Sequence, residues 1–269
     1  MGLFDRFKKK ADAGKVAGAA EPAKKGAGGF VGFALLSDGN WDKEQFIRDL
    51  KEDWGISAKE DGDSDGNTLV FSEGAMMATL ALMPAPVPGG EAEQNAASNY
   101  MWPQAVETAK SHQAHLLVAV LGMESDVFKK GELYVKLLSC CCKQKNALGI
   151  YTSGTVFEPG FYMAGAEMIK KGEMPLLNWI WFGLYRNEGG ICCYTYGMEQ
   201  FGKDEMEVLN AGGQPSDVRN FLLDLVSYVL DSDVILHDGE TIGFSAEDKH
   251  TITRSEGVSM PGMTLKISY

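Results

Sequence analysis

His237, Asp238, Glu240, His250, Arg254 and Glu256 crowd the last third of the chain, on or beside the turns expected at Gly239 and Gly262. An imidazole beside a carboxylate can do general acid–base work, and a serine in reach of that pair can act as a nucleophile. Ser245 and Ser255 are the serines nearby, so a hydrolase-like centre around His237 and His250 is one reading. Neither serine sits in a Gly-x-Ser-x-Gly elbow, and a triad needs convergence in space, which spacing does not supply. Asp238-Gly239 between apolar runs is also a hairpin signal, and Thr241 and Ser245 can satisfy local backbone groups. His237, Glu240, His250, Arg254 and Glu256 are the polar groups that turn chemistry leaves over.

Three other sets could bind metal. Asp61-Gly62-Asp63-Ser64-Asp65-Gly66 matches the first half of a calcium loop, with Asp61, Asp63 and Asp65 as alternate carboxylates. Its second half fails, because Ser72 stands where a bidentate Glu belongs and the segment beyond reads as a strand; a solvated hairpin loop is the plainer reading. His112 and His115 could share a metal on one helix, but the helix expected there ends between them. Cys140, Cys141, Cys142, Cys192 and Cys193 fall in adjacent blocks. Neighbours on a helix diverge by about 100°, so these read as buried, reduced thiols. No phosphate loop, dinucleotide fingerprint or His-Glu-x-x-His motif is present, and no cofactor is expected.

The elements that must hold these residues follow from periodicity. A strand is expected at 30–36. Asp42, with Gln45 in a capping box, opens a helix that Gly55 closes. Strands are expected at 56–60, 67–72, 75–83, 115–122 and 147–157, and helices at 100–113, 127–146 and from Glu158-Pro159 to Gly172. In the last third, strands at 178–186 and 191–198 precede a short helix from Lys203 to Gly212-Gly213. Ser216 then caps a helix whose stripe is Val218, Phe221, Leu222, Leu225, Val226, Val229 and Leu230. Hairpins are expected at Asp238-Gly239, between 234–236 and 241–244, and at Pro261-Gly262, between 255–260 and 263–269. Alternating helices and short strands predict an α+β fold of mainly antiparallel sheets with helices packed over them, in two subdomains. The expected division is a tail at 1–29, an N-terminal subdomain at 30–172 and a C-terminal domain at 173–269.

The run from His237 to Ser245, the tract Tyr196-Gly197-Met198-Glu199-Gln200-Phe201-Gly202-Lys203, Ser255-Glu256-Gly257 and Gly262 through Ile267 resemble the C-terminal region of a bacterial family. That family is domain-of-unknown-function family 4261, and the resemblance spans roughly residues 176–269. It implies no catalytic residues, because the family brings none to transfer.

Charge narrows the function classes. Residues 1–28 carry seven basic and three acidic side chains, while the remainder carries 18 basic and 34 acidic, a balance of −16. Such a body repels phosphate backbones, so no nucleic-acid partner is expected. Residues 1–29 have no apolar run of signal-peptide length, and no stretch is long enough to span a bilayer, so a cytoplasmic protein is expected. Leu3, Phe4 and Phe7 share a helical face ahead of three lysines, which offers peripheral membrane contact as an alternative to a plain Ala/Gly/Lys linker. The reading carried forward is a non-catalytic interaction or regulatory module, of immunity or stress type, with a protein partner. The alternatives are the hydrolase around His237 and His250 and the membrane-associated protein.

Overall fold

A computed structural model describes residues 29–122, 126–243 and 248–269. The basic tail with Leu3, Phe4 and Phe7, and also Ser245, lie outside the described residues. The fold is α+β, with two six-stranded sheets whose pairings are mostly antiparallel. The chain divides into two compact units, Gly28–Trp181 and Phe182–Tyr269.

In the first unit the elements run β1 (Phe30–Leu36), α1 (Lys43–Trp54), β2 (Thr68–Glu73), β3 (Met76–Met83), α2 (Glu91–Ala96), α3 (Ala105–Ser111), β4 (Ala114–Gly122), α4 (Val127–Cys141), β5 (Ala147–Thr152), β6 (Thr155–Phe157), α5 (Pro159–Lys170) and α6 (Leu176–Trp179). The sheet order is β2-β3-β4-β1-β5-β6. Central β1 pairs antiparallel with β4 and β5, and its near-continuous apolar sequence fits burial on both faces. Asp42 accepts from the Gln45 N–H and Gly55 closes α1 in the left-handed region, but the expected capping box is only half made, because the Asp42 N–H donates to the Gln144 side chain and the Gln45 amide donates to the Lys143 carbonyl.

Helix α4 packs on β1 and β4. Glycine in β1 permits that approach: a Cβ on Gly32 would lie 1.9 Å from the Tyr134 Oη. Tyr134 is buried and shares a hydrogen bond of 2.7 Å with the Thr152 hydroxyl. On the opposite side of the sheet, Leu35, Tyr151 and Val156 form a core with Ala92, Ala96, Ala105 and Ala109. The alanines let α2 and α3 lie close to the strands.

The second unit takes up β7 (Trp181–Asn187) from Phe182 onward and continues with β8 (Gly190–Tyr196), β9 (Met206–Ala211), α7 (Pro215–Asp231), β10 (Thr241–Ile242), β11 (His250–Glu256) and β12 (Met263–Ile267). Its sheet order is β10-β11-β12-β9-β8-β7, with β9 and β12 parallel. Helix α7 buries Val218, Phe221, Leu222, Leu225, Val226, Val229 and Leu230 and packs on β8 and β9, so the expected stripe is the buried face.

Several local expectations change. Residues 206–211 form a strand and not a helix. Met, Glu, Leu and Ala favour helix locally, but pairing with β8 and the distant β12 overrides that preference. Residues 147–157 are two strands, because Ser153 and Gly154 take φ of 49° and 67° and reverse the chain. Residues 176–179 are helical, so the strand expected from 178 begins at Trp181. Asp238-Gly239 does not join 234–236 to 241–244. Only Gly239 has positive φ, where a type I′ turn needs both, and Gly239 N–H bonds Ile252 of β11. No strand forms at 56–60.

Gly32→Ala is expected to destabilise the full-length protein by about 1–3 kcal/mol, because Tyr134 must leave Thr152 or β1 must move. Urea denaturation checks this; an unchanged midpoint would contradict the close packing.

Candidate functional site

The five leftover polar residues of the last third do not converge. His250 places Nδ1 2.6 Å from the Ser268 carbonyl and Nε2 3.0 Å from an Asp248 carboxylate oxygen, with its ring 4.5 Å from that of Phe221. Arg254 lies four residues along β11, about 13 Å of extended chain away. Its backbone N–H donates to Asp238, and its Nε donates to Asp204 at 2.9 Å. Asp238 adjoins His237, which therefore sits toward the Arg254 end of the strand. The Glu240 carboxylate accepts from the His237 backbone N–H at 2.8 Å, closing the turn upon itself. Glu256 lends its carbonyl to Lys266. The structure thus brings Glu240 to the His237 backbone and Asp238 to the Arg254 backbone, but leaves His250 at the start of β11 and His237 in the turn segment beside the other end of that strand.

The metal candidates are likewise taken up locally. Asp65 accepts from the Asn67 N–H, which lowers its carboxyl below the usual range, and Asp61 accepts from Ser72. His112 accepts the Val87 N–H at Nε2 and faces the Ala109 carbonyl with Nδ1. His115 Nδ1 lies 2.8 Å from the Ala85 carbonyl, and burial pushes its imidazole down. Among the described residues, no group of three or more His, Cys, Asp or Glu is placed to hold a metal ion. All five cysteines are buried and unbridged. Burial pushes the Cys140 and Cys193 thiols up to about 12, and raises Cys141 and Cys142 as well.

Two carboxylates that periodicity hid carry the densest polar network of the second unit. Glu205 and Glu207 stand two apart at the start of β9 and so point to one face. Met206 and Val208, buried, point to the other. Glu205 accepts from the Thr195 hydroxyl at 2.6 Å and the Gly197 N–H at 2.7 Å, which fastens the loop after β8. Burial nevertheless pushes its carboxyl up. Glu207, fully buried, accepts from the N–H groups of Val258 and Ser259, the Thr264 hydroxyl and Lys266 Nζ at 3.0 Å. Those donors outweigh desolvation and hold its carboxyl below the usual range. Read as a helix, Asp204-Glu205-Met206-Glu207-Val208 looks solvated. Its alternation of acidic and apolar residues was the available signal of a strand.

Residues 194–268 match the family model described as Domain of unknown function (DUF4261). That segment holds Glu205, Glu207 and every leftover polar residue of the turns. The DUF4261 description assigns no activity to transfer. Compared with curated proteins and with solved structures, the chain matches none.

The first unit holds a concave feature of its own. Asn99, between α2 and α3, accepts the N–H groups of Met101 and Trp102 at its Oδ1 and donates from Nδ2 to the Val156 carbonyl at 2.8 Å. That one carboxamide clamps the Tyr100-Met101-Trp102 loop against the end of β6. Between them opens a cleft of ≈ 50 Å³ lined by Asn99, Met101, Trp102, Phe157, Glu158, Phe161 and Trp181. Phe157 stacks on Phe161 at 6.1 Å and meets Trp181 edge-on at 5.8 Å, and Tyr100 lies 5.3 Å from Trp181. Helical spacing does not reveal this group, because it joins two loops far apart in the chain. The turn-forming Asn99 ahead of Tyr-Met-Trp was its only local mark.

Two outcomes are expected. Glu207→Gln should cost about 2–4 kcal/mol near pH 7, since charge-assisted bonds are lost and Lys266 is left without its counter-ion. A carboxyl lowered from 4.5 stabilises the fold above that value and loses the effect as pH falls through its folded pKa. Denaturation of the variant and wild type from neutral to acid pH should therefore show the gap narrowing below about pH 4.5. A gap independent of pH would contradict the assignment. Separately, a disulfide reagent near neutral pH should label the native thiols slowly, and five per chain should react only after unfolding. Rapid labelling of the native protein would contradict the burial.

Proposed function

We propose that this protein is a non-catalytic cytosolic module that binds a basic protein partner in a regulatory or immunity-type role. The observation that carries the reading is the distribution of charge. Residues 29–181 hold 20 acidic against 12 basic side chains, and residues 182–269 hold 14 against 6, so each unit has the same surplus of eight acids. An acidic field of that kind steers basic proteins into encounter and repels nucleic acid and anionic lipid. The polar groups that could have formed a hydrolytic centre are bonded to turns and strand ends, which supports binding over catalysis. No helix among the described residues is long and apolar enough to cross a membrane, which accords with a role in solution.

Native purification of the full-length chain, identification of the retained protein and reconstitution from pure components test the reading. The partner should be basic, and its affinity should fall about tenfold or more between roughly 50 and 300 mM salt. A reconstituted complex indifferent to salt, or no retained protein at all, would overturn it.

A further inference from the structure

We propose that the aromatic cleft of the first unit receives the guanidinium group of an arginine in a basic segment of the partner. The assignment rests on the interaction reading above and names the group recognised. Four lining residues, Trp102, Phe157, Phe161 and Trp181, are aromatic, and the fifth that matters is Glu158. Phe157 and Trp181 are buried and form the floor, whereas Glu158 is exposed and Trp102 and Phe161 are half-buried. Aromatic rings attract cations, and arginine in particular stacks on ring faces while its fork of N–H donors bonds a carboxylate.

Glu158 is the group that gives the cleft its sign. It occupies the N-cap of α5, where a carboxylate ordinarily bonds a first-turn N–H, yet its side chain makes no capping bond. It has no ion-pair partner among the described residues either, although the nearby Glu167 is paired with Lys170. Its carboxylate oxygens therefore remain available to a ligand. The rim continues into Tyr100 and Met101, each 40% exposed, residue types enriched where proteins meet.

Size is compatible with that occupant. At about 10–15 Å³ for each water-sized occupant, ≈ 50 Å³ admits roughly three to five non-hydrogen atoms. A guanidinium group, four non-hydrogen atoms with its Nε, is of that size.

The probe is a short arginine peptide, acetyl-Gly-Arg-Gly-amide, titrated into 15N-labelled full-length protein while the indole N–H signals of Trp102 and Trp181 are followed. Saturable shifts of both signals are expected. The citrulline peptide, equal in shape and uncharged, should bind at least about tenfold more weakly, and Glu158→Gln should weaken the arginine peptide by about the same factor. Phe161→Ala should also weaken it, with thermal melting recorded to confirm that both variants are folded. Equal binding of citrulline and arginine, wild-type affinity in both variants, or no saturable shift at the two indoles would overturn the assignment. If the basic partner binds wild type and Glu158→Gln alike, the interaction reading stands and this cleft is not its site. If the arginine peptide saturates the cleft but no basic partner is found, the cleft assignment stands and the broader reading falls.

Discussion

The Glu207 carboxylate, removed from solvent, organises the far end of the second unit. Its donors come from the loop after β11, from the Thr264 hydroxyl and from Lys266 on β12. A buried carboxylate is tolerable only when its lone pairs are met. The requirement works in reverse on the chain: residues 258–259 and 264–266 must occupy their places for β9 to sit in the sheet. The parallel pairing of β9 with β12 sets Lys266 opposite Glu207, so backbone register and ion pair enforce one another. Glu205 performs the matching task for the loop after β8, at a higher desolvation cost relative to its donors.

The first unit relies on steric allowance more than on charge. Gly32 in β1 makes room for Tyr134, whose hydroxyl then reaches Thr152. Gly131 on α4 works likewise, since a Cβ there would lie 3.0 Å from Trp179. Dense packing of this kind fixes the strands on which the cleft is mounted. Asn99 supplies the last constraint. A single side chain satisfies two loop donors and one strand acceptor, and by doing so places Trp102 beside Phe157 and Glu158.

Most ionisable residues with chemical promise are therefore committed to holding backbone. His112, Glu205, Glu207, Asp238 and Glu240 each meet a main-chain group. The thiols are held protonated by burial. Glu158 differs in standing at a helix start and an aromatic cleft without a bond to either. The contrast between spent and unspent polar groups, together with the acidic surplus of both units, is what favours recognition over catalysis.

Local chemistry determined much of this fold. The Asp42 cap and Gly55 stop, the α7 stripe and the apolar run of β1 could be read from residue types alone, because capping and amphipathic burial depend on neighbours within a turn or two. The C-terminal family resemblance was equally local. Tertiary structure decided the rest. Residues 206–211 are a strand because β12, more than fifty residues away, offers a parallel edge, a fact that outweighs helix-favouring side chains. The turn at Asp238-Gly239 serves β11 and not the segment before it, because only one of its two residues takes positive φ. Whether His237 and His250 meet, and whether Asn99 and Glu158 do, depends on chain separations that periodicity does not encode. Only packing parted the first pair and brought the second to one cleft.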